Sequence, residues 1–237
     1  MNEDQAYIHE SIINQVKMGF WSIPEIEEAI VEEITDNQME ADVPVDWAIS
    51  TIKSSFAQHQ KESQDWTHPT DTERLVEAFD ALAQQNIIAL HNAGYTTSDG
   101  ESEVVEVELK LREKNIQSVG YCFYHEQDLA RAIDPGEPSL MLAFQKVNNT
   151  EESVTLAVGR IVVKALEQAG LQVNWTEDVH TKIELPNFKW QWAFHSKNRD
   201  LLGYEAVTRH LIRYQKRKSK PVDPPAPSPK GPWWKFW

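Results

Sequence analysis

Apolar positions recur at helical spacing three times in the first 65 residues. Tyr7, Ile8, Ile12, Ile13 and Val16 keep one stripe, which Gly19 interrupts. Ser22 with Glu25 three residues on reads as a capping box with Pro24 in the first turn, and Ile26, Ala29, Ile30 and Ile34 give that helix its apolar face. A third helix, from about Val45 to Gln64, carries Trp47, Ile49, Ile52 and Phe56. Three such helices predict a small bundle, or a layer that leans on the rest of the chain.

After a break at Trp66 to Pro69 the period begins to alternate between helix and strand. Thr70 and Glu73 form another capping box ahead of Leu75, Val76, Phe79 and Leu82 at helical spacing. Ile87 to Leu90, Val119 to Tyr124 and Leu140 to Gln145 read as strands from their apolar, β-branched and aromatic content. Residues 101–114 fit either period: Val105, Val107, Leu109 and Leu111 alternate, while Val104, Val107 and Leu111 have helical spacing. Asp99 and Ser102 are available as caps, which favours the helix. Glu126 to Ile133 is a short helix ended by Asp134-Pro-Gly, and Val154 to Leu166 is the cleanest helical stripe in the chain, stopped by Gly170. Leu171 to Trp175 and Thr181 to Leu185 read as strands. Phe188, Trp190, Trp192 and Phe194 then alternate with polar residues, as in a half-buried strand or an aromatic arm.

Helices and strands interleave, so the pattern predicts an α+β fold, a mixed β-sheet with packed helices. An acidic helical region, residues 1–65, precedes the α/β part, 66–195. The remainder, 196–237, holds a basic helix from Tyr204 to Lys218, a linker with five of the chain's twelve prolines, and a final Trp233, Trp234, Phe236 and Trp237. The core is expected within 66–195, with the tail supplying none of it.

Charge sharpens this division. The net charge of −14 is the sum of about −21 over the first 195 residues (13 basic, 34 acidic) and +7 over the rest (10 basic, 3 acidic). An acidic body repels nucleic-acid phosphates and favours a basic partner. The single cysteine, Cys122, excludes an internal disulfide framework, and it lies within an apolar strand, where packing suits it better than nucleophilic chemistry. The acidic start, Met1-Asn-Glu-Asp, has no apolar run behind it and does not read as a secretory signal, which points to the cytoplasm. No cofactor or metal is expected, since the phosphate-loop, dinucleotide and two-histidine zinc patterns are absent.

Reactive side chains concentrate where two predicted strands end. His91 and Asn92 follow the first, with Tyr95, Thr96, Ser98 and Asp99 in the loop behind them. His125 and Asp128 follow the second. If the two strands are parallel neighbours, His91, Asp99, His125 and Asp128 share one rim of the sheet, where sites in α/β folds collect. That set suits hydrolytic acid–base chemistry. The same residues also serve as ordinary turn formers and helix caps.

The strings TDTERL (70–75), ALHNAGYTTSDG (89–100), GYCFYHEQDL (120–129), LAF (142–144), Gly159-Arg160 and Ala169-Gly-Leu171 occur in an order that resembles an uncharacterised bacterial domain-of-unknown-function family, from about residue 10 to 190. The resemblance implies no activity, cofactor or partner. It also implies that other members carry a cysteine-rich string where this chain has His91 to Thr96, which speaks against a fixed catalytic centre there. The expectation is a non-catalytic binding or regulatory protein of the immunity or inhibitor kind, with an acidic surface for a basic partner. Two alternatives are a hydrolase-like enzyme using His91 and His125, and an adaptor tethered to a protein or membrane surface through its aromatic tail.

Overall fold

The computed structural model describes residues 1–134, 136, 138–195 and 203–218. The proline-rich linker and the expected anchor of Trp233, Trp234, Phe236 and Trp237 lie outside the described residues. Three helices, α1 (Glu3–Met18), α2 (Ile23–Asp36) and α3 (Val45–Glu62), come first. They are followed by α4 (Asp71–Gln84), β1 (Ile87–Leu90), α5 (Thr97–Arg112), β2 (Gly120–Phe123) and α6 (Glu126–Ile133). The chain then makes β3 (Ser139–Gln145), α7 (Glu152–Gln168), β4 (Ile183–Pro186) and α8 (Tyr204–Lys218). The fold is α+β. No described helix is long and apolar enough to cross a membrane.

Local signals explain most boundaries. Gly19 ends α1 in the left-handed conformation (φ 72), where a Cβ would meet the Trp192 carbonyl. Ser22–Glu25 and Thr70–Glu73 form the expected capping boxes of α2 and α4. The ambiguous stretch after Gly100 is helical. Its cap is Thr96 rather than Asp99 or Ser102: the Asp99 carboxylate accepts from the Thr96 N–H and hydroxyl, both at 2.8 Å.

The sheet has the order β1-β2-β3-β4, with β1 and β2 parallel and the other pairs antiparallel. Strand alternation divides the core. Ile87, Ala89, Cys122 and Tyr124 join the cluster formed with α4 and α7, whereas Ile88, Leu90, Tyr121 and Phe123 join the one formed with α5. A third cluster, with Ile8, Ile12, Ile26, Ile30 and Ile52, closes the N-terminal bundle. That bundle also leans on the rest, since α1 packs against α6.

Two expectations are corrected and one open alternative is resolved. Leu171 to Trp175 is not a strand: it meets β4 through one bridge, Asn174 to Glu184, before the chain turns at Glu177 (φ 63). Phe188 to Phe194 is the aromatic arm rather than a strand, because side chains instead of a neighbouring strand satisfy its backbone. Thr72 Oγ1 accepts from the Gln191 N–H at 2.9 Å, His59 Nε2 lies 3.0 Å from the Trp192 carbonyl, and Gln60 donates to the Phe194 carbonyl at 2.8 Å. The segment after 195 also contributes core. Leu211 of α8 is fully buried in the second cluster, and α8 packs on α4, α5 and β1.

Candidate functional site

The register Leu90 with Phe123 puts His91 and His125 just past the ends of neighbouring parallel strands. Their side chains nevertheless part. His91 continues the Ile87–Ala89 face and packs its ring against Phe79 (centroids 4.4 Å apart), with Nδ1 3.2 Å from the Tyr124 hydroxyl. Burial pushes its pKa down to about 3, so the ring is neutral near pH 7. His125 continues the Tyr121–Phe123 face. It meets Thr97, Asp128 and Lys182, and no contact joins the two histidines among the described residues.

The chemistry of His125 follows from its cap. Its Nδ1 accepts the Asp128 N–H at 3.3 Å, opening α6. A neutral ring in that role carries its proton on Nε2. That N–H has the Thr97 hydroxyl at 3.1 Å and Asp128 Oδ2 at 3.0 Å as acceptors. Lys182 Nζ, 2.9 Å from the same nitrogen, makes its productive bond to Asp128 Oδ2 at 2.7 Å. Asp128 is fully buried, and its other oxygen accepts from Arg131 at 3.2 Å. Burial lowers the His125 pKa and the charges on Lys182 and Arg131 act the same way, against the opposing pull of Asp128. A ring so placed has no lone pair left with which to take a proton from a substrate. The cluster ties the starts of α5, α6 and β4 together.

Main-chain pairing runs on past the strands: Ala93 donates to Tyr124 at 2.9 Å and Glu126 donates to Gly94 at 3.0 Å. This carries Tyr95 and Glu126 to the junction with the helical bundle. A cleft of about 480 Å³ lies there, within the size range of ligand sites. Glu10, Glu33 and Glu126 line it together with Tyr7, Tyr95 and Gln127, and its described lining holds no lysine or arginine. Tyr7 and Tyr95 are 50% and 58% exposed, among the most exposed large hydrophobic side chains described. A hydrogen bond from the Tyr7 hydroxyl to Glu33, and the charge of that carboxylate, raise the Tyr7 pKa. Burial, then the charge of Glu33, raises that of Glu126. Glu33 and Glu126 thus repel each other, and no cation is among the described lining residues of the cleft. Among the described residues no three His, Cys, Asp or Glu side chains converge to hold a metal.

Of the residues singled out by sequence, the structure brings His125 and Asp128 together and sets Thr96 against Asp99. Tyr95 faces the cleft, Asn92 lies beside His91, and Ser98 is exposed in the first turn of α5. Sequence reasoning missed Lys182 and Thr97, which only tertiary folding brings to His125. It also missed Tyr7 as a surface residue, because Tyr7 sits beside Ile8 and fits the apolar stripe.

A family model described as a domain of unknown function (DUF6891) matches residues 1–193. No curated protein matches the chain, and neither does any solved structure.

Proposed function

The chain belongs to the domain of unknown function family DUF6891, and from that premise we propose that it is a non-catalytic binding or regulatory protein, of the immunity or inhibitor kind, that receives a basic partner on its acidic surface. The observation that carries this reading is the cleft between α1, α2 and α6, with three carboxylates, two exposed tyrosines and no described cation. A lysine or arginine entering there relieves the repulsion from Glu33 that, after burial, raises the Glu126 pKa. It also finds tyrosine faces for cation–π contact. The charge of about −21 over residues 1–195 steers such a partner in from a distance and disfavours nucleic acid. The reading places this work in the cytoplasm, where the lone buried Cys122 needs no disulfide partner.

The hydrolytic alternative has less support. His91 is buried and neutral on one face of the sheet, and His125 spends one nitrogen on a helix cap and the other on an N–H. Calorimetric titration with a short arginine- and lysine-rich peptide tests the proposal. Neutralising the cleft by Glu10→Gln, Glu33→Gln and Glu126→Gln should weaken binding by about tenfold or more, the scale of one or two desolvated charge contacts. Equal binding by the neutralised protein contradicts the proposed site.

A further inference from the structure

Helix α5 carries more apolar residues than its core face uses. Val104, Val107 and Leu111 are fully buried, whereas Val105 and Leu109, one turn apart on the opposite face, are 42% and 55% exposed. Those two residues are what gave the stretch its strand-like alternation. Ser118 donates its N–H to the Glu108 carboxylate at 3.1 Å, which holds the next residue, Val119, beside the second half of the helix with its side chain also exposed. Three of the seven large apolar side chains that are exposed among the described residues thus belong to α5 and its edge.

The charges around this face change sign along the helix. Glu101 and Glu106 lie exposed in its first part and Arg112 at its end. Arg112 donates from Nε to Glu108 at 2.9 Å, which fixes the guanidinium to one side of the outer face. Glu101 stands on that same side, because residues 101 and 112 are close to three whole turns apart. The two charges also flank Val105 and Leu109 almost symmetrically, and Glu106 sits in solvent at the other rim. A two-fold axis across the middle of α5 would therefore lay Val105 of one copy on Leu109 of the other, and Glu101 on Arg112, with each contact made twice. The helix dipole by itself favours acidic residues first and basic residues last, but it does not account for two exposed apolar residues between them.

We propose that the outer face of α5 is covered by a second copy of this chain, in an antiparallel α5–α5 contact with two-fold symmetry. The apolar pair supplies the centre of the contact, and the Glu101–Arg112 pairs at its ends select the antiparallel orientation, since a parallel pairing sets like charges together. A helix of 16 residues is about 24 Å long and about 10 Å wide. One such face, with Val119 at its edge, buries less than the roughly 800 Å² per partner of a standard interface, so the dimer is weak and exchanges with the monomer. The contact is independent of the acidic cleft, none of whose lining residues belongs to α5. It stands whether or not a basic partner binds there.

Sedimentation equilibrium of the full chain between about 10 μM and about 1 mM tests this, and the expected result is a reversible monomer–dimer equilibrium within that range. Leu109→Gln puts a good helix former at an exposed position, so the variant should fold as the parent does. It should dimerise at least about tenfold more weakly, because the substitution removes the contact at both ends of the interface. Orientation is read by mixing Val105→Cys copies with Leu109→Cys copies and adding a short thiol-to-thiol cross-linker, which the buried Cys122 does not meet. The mixture should cross-link faster than either variant alone. A chain that stays monomeric at about 1 mM overturns the proposal and leaves the face to its own residues 219–237 or to another protein. Dimerisation of Leu109→Gln as tight as the parent's also overturns it, as does equal cross-linking by one cysteine variant alone.

Discussion

His91 and His125 leave adjacent strands at the same end of the sheet, yet strand alternation sends them to opposite faces. Burial sets the protonation of His91, and the resulting pH dependence is testable. Its pKa of about 3 in the folded state lies below the ordinary value of 6.5, so the unfolded chain takes up the proton first as pH falls. The stability contributed by the neutral ring is complete above the unfolded value and is lost as pH drops towards the folded one. His125 is shifted in the same direction. Unfolding by urea between about pH 6 and about pH 4 should therefore show a stability that falls with acid. In His91→Gln the slope should be shallower by roughly 1.4 kcal/mol per pH unit. Identical slopes for parent and variant would mean that His91 is not held neutral by burial. The positions of both histidines at strand ends could be read from the sequence. Their partners could not, because Phe79, Thr97 and Lys182 are distant in the chain and no periodicity announces them.

At the scale of elements, the aromatic arm and α8 perform the joining. Trp190 donates its indole N–H to the Met18 carbonyl at 3.2 Å and packs against Phe20, Tyr124 and Phe188, so one side chain bridges the bundle and the sheet. Trp190→Ala should cost about 3–5 kcal/mol in urea unfolding, the range for removing a buried large aromatic. A loss below about 1 kcal/mol would show that the bundle and the sheet do not share this seam. Leu211→Ala on α8 should cost about 2–5 kcal/mol, since Leu211 is fully buried between α4, α5 and β1. An unchanged midpoint would return α8 to the status of an appendage. The sequence made the helices and the four strands of the sheet legible because caps, glycines and periods coincide at Ser22, Thr70 and Gly170. It did not reveal α8's place in the core, since Val207, Leu211 and Tyr214 form a stripe that any partner could cover. The strand expected from Leu171 to Trp175 failed for a related reason: alternation shows which residues are buried, not whether another strand lies alongside.

For the whole molecule, charge and its location decide what can dock. Fourteen acidic and three basic residues occupy positions 1–65, and the cleft lies where this bundle meets α6 and the loop of Tyr95. Composition made the sign of the surface legible, but the site required the fold, because Glu33, Tyr95 and Glu126 are brought together only when α1 packs on α6. The most direct test is amide chemical-shift mapping with an arginine- and lysine-rich peptide at low and high salt. A basic partner seated in the cleft should give shifts centred on Tyr7, Glu10, Tyr95, Glu126 and Gln127 that shrink as salt rises, with α7 unaffected. Shifts spread evenly over all acidic surfaces, or none at the cleft, would contradict that seat.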